Sequence, residues 1–280
     1  MAKLKKQHMT IHWKAIVQDD SSIPATEATL KEKATLVGRI GLMMLSVGTG
    51  AWRVRNSMNK VSRCLGITCT ADIGLLAISY TCIEGTDTYT QSISLPTTGV
   101  NTHKLMELEL FMKEFPDKVS TCSVKHIHEV LDEIQKFPAN YKAWNLGLAS
   151  ALACGAFTFL LGGGPVEMCC AFLGAGVGNF VRKKMLGHSI SLLANVAVSV
   201  AASCLVYVLT ILLAQSLLSV SAVHQAGYIC AMLFVIPGFP LITGGIDLAK
   251  LDLRSGLERV SYALLIILTA TMTGRATAAI

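Results

Sequence analysis

Residues Val235–Arg259 read VIPGFPLITGGIDLAKLDLRSGLER. The apolar run Ala231–Ile236 meets Pro237-Gly238 and then Pro240, resumes, meets Gly244-Gly245, and ends on Ile246-Asp247-Leu248. Proline has no N–H to give and its ring clashes with the preceding turn. A segment long enough to cross a membrane therefore cannot stay a regular helix here. An acid at the end of such a segment needs a reason to be there. The rest of the chain is read as holding, orienting and feeding this broken helix.

Composition sets the frame. Of 280 residues, 52% are hydrophobic and only 15% charged, with mean hydropathy +0.53. A typical soluble domain carries about 25% charged residues, so the chain is, or contains, a membrane protein. Residues 1–143 hold 17 of the 24 Lys+Arg and 14 of the 18 Asp+Glu; residues 144–280 hold the remaining 7 and 4. That split marks a polar first half and a membrane second half. Net charge +6 does not indicate nucleic acid: aromatics are 6%, no basic–aromatic stripe exists, and the basic residues fall where a positive-inside rule puts them. The nine cysteines form no CxxC pair, and five lie in apolar second-half segments, which argues against a disulfide framework. The N-terminus MAKLKKQHMTIHWK is basic but is followed by no apolar core, so no cleavable signal is expected.

Residues 1–30 are polar and read as a mobile tail. Leu36, Ile40, Met43/Met44, Val47, Val54, Met58 and Val61 recur at helical spacing, interrupted at Gly48 and Gly50. This predicts two helical pieces or one kinked helix, with Gly66 as C-cap. Ile67–Ile83 and Thr88–Leu95 flank the turn signal Glu84-Gly85-Thr86-Asp87 and predict a β-hairpin, with room for a further strand before it. Asn101 or Thr102 caps a helix to about Glu114 that Pro116 stops. A second amphipathic helix runs over Ser120–Phe137 and is closed by Pro138. Residues 31–143 are thus expected to form a small cytoplasmic α+β domain. From Trp144 five apolar segments follow, at about 144–161, 165–181, 190–218, 226–246 and 258–274, each able to cross a ~30 Å hydrocarbon core. The fold expected for 144–280 is an all-α bundle of five transmembrane helices. Arg182-Lys183-Lys184, Lys250, Arg254 and Arg259 fall on one side, which predicts the N-terminus inside and the C-terminus outside.

The broken fourth span is the first candidate for chemistry. Helix interruptions free backbone groups that protein, ligand or water must satisfy, and transporters use such ends to bind substrates and ions. Pro237, Gly238, Gly244 and Gly245 are therefore candidates for a substrate or ion path. Asp247 is read either as a solvated interfacial carboxylate or partner of Lys250 or Arg254, or as a group that takes a proton or a substrate amine. Ser189, Ser191, Asn195 and Ser199 form a polar stripe that glues helices together or lines a path. Glu167 reads as a rim residue and Gly174–Gly178 as a close-packing surface. Arg53 and Arg55 read as a solvated face or an anion contact, and His103 as a surface residue behind a helix cap. His126 and His128 point to different faces, so no metal site is expected, and no nucleotide-loop motif implies a cofactor. No GxSxG and no Ser/His/Asp order is present, so an enzyme is not expected.

With these residues laid out, the sequence resembles the threonine/serine exporter family over about residues 35–275, most closely the larger subunit of its split, two-component form. Three stretches carry the resemblance: GRIGLMMLSVG with RVRNSM, GVNTHKL at Gly99–Leu105, and PGFPLITGGIDLAKLDLRSGLER. Arg53, His103, Asp252 and Arg259 match the family's motifs, as do Pro237, Gly238, Asp247 and Gly256; Arg55 stands where the family carries an acid. The resemblance implies a cytoplasmic domain ahead of five spans in the inner membrane. It implies export of small polar metabolites, threonine and serine in some members and dicarboxylates such as succinate in others. The chain ends where longer members continue into further spans, so a smaller integral-membrane subunit or self-assembly in the lipid bilayer is expected. A transporter coupled to the proton gradient is the leading expectation. The alternatives are a membrane-tethered, hydrolase-like domain and a passive channel or scaffold subunit.

Overall fold

A computed structural model describes residue 13 and residues 23–137, 141–186, 190–218 and 225–279. Most of the tail expected over 1–30, the helix stop at Pro138 and the stripe residue Ser189 lie outside the described residues. The chain divides into two compact units, Met1–Ala139 with Phe239–Val260, and Asn140–Gly238 with Ser261–Ile280. Residues 239–260, although deep in the apolar half of the sequence, pack with the polar half.

The first unit begins with a short 3-10 turn, Ala25–Glu27, tied down by the Ala25 N–H donating to Cys122 O at 2.9 Å. Helix α1 (Leu30–Ser46) starts on a capping box in which Thr29 and Glu32 exchange side-chain and backbone hydrogen bonds. It is followed by α2 (Ala51–Cys64), so the expected pair of helical pieces is present, with the break at Val47–Gly50. Gly48 sits there at φ +88, a left-handed conformation that disfavours any side chain, with the Gly99 carbonyl against it. Strands β1 (Thr68–Ile73), β2 (Ala77–Glu84) and β3 (Asp87–Ser94) form an antiparallel sheet in sequence order. The hairpin and the further strand before it are both found. One face of the sheet buries Cys69, Ile78, Tyr80, Cys82 and Ile93 against α1 and α2, the one-sided alternation of an antiparallel sheet over a helical layer.

Helix α3 (Thr102–Lys118) is capped by Asn101, whose side chain accepts from Lys104 N. The helix does not stop at Pro116 but carries it inside its last turns. Proline at this position deprives the Met112 carbonyl of its helical donor. Lys60 Nζ, arriving from α2, donates to that oxygen at 2.7 Å and fills the gap. Helix α4 (Val124–Lys136) closes the layer, starting on Ser123. Its His128 Nδ1 and carbonyl both lie 2.9 Å from Arg39 Nη1, and Asp132 pairs with the same guanidinium. Burial pushes the Arg39 guanidinium below its ordinary range, and Asp132 opposes that shift.

The second unit holds α5 (Ala143–Leu160), α6 (Pro165–Met185), α7 (Leu192–Leu218) and α8 (Gln225–Ala231), followed by a 3-10 turn at Leu233–Val235. The chain then leaves helical geometry at Ile236–Pro237 and resumes as α9 (Gly238–Ala249), followed by α10 (Leu253–Ala278). Among the described residues, three helices are long and apolar enough to cross a membrane: Ala143–Leu160, Leu192–Leu217 and Leu253–Ala278. A fourth crossing is made only if Gln225–Val235 and Gly238–Ala249 count as one broken span. Helix α6 has the length, at 21 residues, but Glu167, Asn179 and Arg182 dilute its hydropathy. The described residues thus carry three to four candidate spans by length and composition, where five are expected from the sequence. Leu152, Phe159, Leu209, Leu213 and Leu265 stay more than half exposed, which suits hydrocarbon and not water. Where helices meet, glycines let backbones approach: a side chain at Gly147 would meet Gly176 O at 3.0 Å.

Candidate functional site

The site assembles in the first unit, where α9 and α10 return to α1 and α2. Helix α9 ends in a Schellman turn: Asp252 N donates to Asp247 O at 2.9 Å and Leu251 N to Leu248 O at 3.0 Å. The left-handed residue of that turn is Leu251, at φ 65, where glycine is the usual occupant. The turn lets α10 fold back along α9. At their crossing a Cβ on Gly244 would meet the Gly256 carbonyl at 3.2 Å, and one on Gly256 would meet the Gly244 carbonyl at 3.0 Å. This close approach brings Arg259 beside Asp247.

Asp247 is fully buried. The Ala51 N–H, at the first turn of α2, donates to Oδ1 at 3.0 Å and to Oδ2 at 3.1 Å. Ser255 Oγ donates to Oδ2 at 2.8 Å, and Arg259 Nε lies 3.2 Å from the same oxygen. A carboxylate at a helix N-terminus answers both the unsatisfied N–H and the positive end of the helix dipole. Gly50 is the cap residue, and any Cβ there would come within 2.9 Å of Asp247 Oδ1. Arg259, itself 2% exposed, spreads its remaining nitrogens over the α1–α2 break, donating to Thr49 O at 2.7 Å and to Gly48 O at 3.4 Å. A buried charge pair of this kind is tolerated because each partner's hydrogen-bonding capacity is met.

Around this pair lies a belt of surface ion pairs. Arg55 Nη2 is 2.6 Å from Asp252 Oδ1. Arg254 pairs with Asp72 and Glu258, and Glu258 Oε2 accepts from Leu75 N at 2.6 Å. Lys250 Nζ stands 4.0 Å over the Trp52 ring. The position where the sequence departs from an acid, Arg55, thus has an acid waiting for it at Asp252.

Asp247, Arg259, Asp252 and Gly244 are therefore brought together, while the other expected residues go elsewhere. Gly245 has open space beside it. Arg53 pairs with Glu109 on α3. His103 meets Phe137 edge-on, ring centroids 5.2 Å apart, with its Nδ1 buried and unpartnered among the described residues. Asn195, Pro237 and Gly238 belong to the second unit. There Asn195 is 2% exposed and donates to Arg182 O at 3.2 Å. Pro237 follows the 3-10 turn, and Gly238 N finds Ile236 O at 2.9 Å instead of an i−4 carbonyl. Asp247 takes neither Lys250 nor Arg254 as its partner, and it is not solvated. Ser255 and the Ala51 N–H carry no signal of their own in the sequence, although Ser255 and Arg259 lie at the i, i+4 spacing of one helix face.

Comparison with known proteins bears on this arrangement. The chain matches the ThrE threonine/serine exporter family over residues 35–280, which takes in the α1–α2 break and both helices of the site. It belongs to the threonine/serine exporter family. Two curated relatives are similar at 24% identity. The "Probable succinate transporter subunit YjjP" of Klebsiella aerogenes aligns over 81% of this chain and 85% of its own length. The protein of the same name from Escherichia coli strain K12 aligns over 84% and 88%. No solved structure matches. For a threonine/serine exporter family member, the apolar helices above are those of a multi-pass membrane protein, and the family assignment expected from the three motif stretches is borne out.

Proposed function

We propose that this chain is one subunit of an inner-membrane exporter that moves small polar metabolites, threonine and serine or dicarboxylates such as succinate, out of the cytosol. The observation that carries the proposal is the break at Ile236–Pro237, in a helix pair otherwise apolar enough to cross the membrane. In this reading α6 is the remaining span, so five helices cross, with the N-terminus in the cytosol and the C-terminus outside. The substrate path runs past Pro237-Gly238 and Asn195. Asp247 is not the travelling proton's carrier; with Arg259 it holds the α9–α10 hairpin against α2. Transport draws on the proton gradient, and the chain works with a smaller integral-membrane subunit, in keeping with the word "subunit" in both relatives' names. It performs no catalysis of its own.

The test is efflux of radiolabelled threonine, serine and succinate from cells with and without this chain, alone and with a co-expressed smaller subunit. Efflux of one of them should rise and should fall when a protonophore collapses the gradient. Efflux unchanged for all three refutes the exporter. Efflux that ignores the protonophore replaces it with a passive channel.

A further inference from the structure

The second unit contains an arginine that pairs with no acid among the described residues. Arg182, near the end of α6, is half-buried. Its Nη1 donates to Phe234 O at 3.0 Å. That carbonyl lies in the 3-10 turn before the break, where Gly238 N would have served it in a continuous helix but bonds Ile236 O instead. One edge of the guanidinium thus caps the broken helix. The other edge, Nε and Nη2, has no hydrogen-bond partner among the described residues, and the one acidic side chain of this unit lies elsewhere. The single acidic side chain of this unit is Glu167. It sits 15 residues earlier on the same helix, about 22 Å away at 1.5 Å per residue. Beside Arg182, the enclosed Oδ1 of Asn195 accepts from nothing among the described residues, while its Nδ2 is anchored on Arg182 O.

A cation inside an apolar unit is costly without a counter-charge, and such groups mark substrate sites. The planar Nε/Nη2 edge of a guanidinium matches a carboxylate in a two-point hydrogen bond. We infer that Arg182 is the substrate-binding residue of the exporter, gripping a carboxylate of the transported molecule through its free edge while its other edge holds Phe234 O at the helix break. This rests on the exporter reading above and names the chemistry its site selects. A carboxylate is common to amino acids and dicarboxylates. The orphaned Asn195 acceptor adds a place for a ligand N–H or O–H, which an amino acid supplies with its ammonium.

The test uses the purified full-length chain in lipid nanodiscs, with binding of L-threonine, L-serine and succinate measured beside their uncharged amides. At least one carboxylate should bind, its amide should not, and Arg182→Gln should weaken binding about 10- to 100-fold, the loss of a charge-assisted hydrogen bond. Thermal unfolding of the Gln variant, measured beside wild type, separates loss of the cap at Phe234 O from loss of the carboxylate contact: weaker binding with an unchanged midpoint is expected. Arg182→Lys should retain part of the affinity. Succinate binding with no threonine or serine binding identifies a dicarboxylate substrate; the reverse identifies an amino acid. Equal affinity in wild type and Arg182→Gln overturns the assignment and leaves the exporter standing. So does equal binding of acid and amide. Absence of both binding and cellular efflux removes the exporter first. If the Gln variant fails to accumulate, phenylglyoxal modification of wild-type Arg182, read by mass spectrometry, decides: protection by the bound carboxylate is expected, and no protection overturns the inference.

Discussion

Asp247 and Arg259 stand 12 residues apart in sequence and 3.2 Å apart in space, one fully buried and the other 2% exposed. The pair is the clasp between α9–α10 and the start of α2. Asp247→Asn leaves Arg259 buried without a counter-charge and should cost about 3 kcal/mol or more of stability. Thermal unfolding of the purified variant checks this. The double change Asp247→Leu with Arg259→Leu should cost clearly less than the sum of the two single Leu changes, since it leaves no orphaned charge. Additive losses would show that the pair is not the unit.

Two neighbouring glycines should behave oppositely. Gly244→Val drives its side chain into Arg259 Cβ and the Gly256 carbonyl, both at or under 3.2 Å from a Cβ there. A cost of about 1–3 kcal/mol is expected from overpacking. Gly245→Ala meets nothing within 4 Å, so it should be neutral or raise stability by up to about 1 kcal/mol through helix propensity. Unfolding midpoints of the two variants, measured side by side, separate these outcomes.

Leu251 holds a left-handed conformation at φ 65 while 81% exposed, so its side chain contributes little packing in return for the strain. Leu251→Gly should stabilise the protein by about 1 kcal/mol. A lowered unfolding midpoint would show that the leucine side chain is held by something outside this chain, a lipid or a partner surface.

Glu114 and Lys118 form an i, i+4 pair on α3 at 2.6 Å. The hydrogen bond from the Lys118 ammonium, and then its charge, hold the Glu114 carboxyl below its ordinary range. A folded value below the unfolded one means a contribution present above the unfolded value near pH 4.3. It is lost as pH falls through the folded value. Glu114→Gln should therefore lower stability slightly at neutral pH and not at all once the pH is below both values. Because both side chains are more than half exposed, added salt should shrink the difference.

Much of the first unit could be read from local chemistry. Gly48 and Gly50 divide α1 from α2, Glu84–Asp87 turns the hairpin and Asn101 caps α3, and in the second unit Pro237 breaks the fourth apolar segment, each through a residue whose backbone preference acts on its own neighbours. What escaped depends on residues far apart. The sequence leaves the role of Asp247 open because its partners, Ala51 and Arg259, reach it only through an inter-helix turn and a contact spanning 196 residues. In the sequence Arg182 is one of three consecutive cations that set orientation, and its hold on Phe234 O exists only once α6 lies beside the broken segment. Whether α6 crosses is not decided by its length of 21 residues, because Glu167, Asn179 and Arg182 set it apart from its more apolar neighbours.

The contact between Lys60 and the Met112 carbonyl makes the residues at positions 60 and 116 interdependent. Pro116 is tolerable inside α3 because a lysine from another helix supplies the donor that proline cannot. A descendant sequence that gives up Lys60 inherits an unsatisfied carbonyl, which selection can repair by replacing Pro116 with a residue that has an N–H. The dependence runs one way: replacing Pro116 by a residue with an N–H restores a helical donor to the Met112 carbonyl, whereas replacing Lys60 while the proline stays removes the donor that stands in for it.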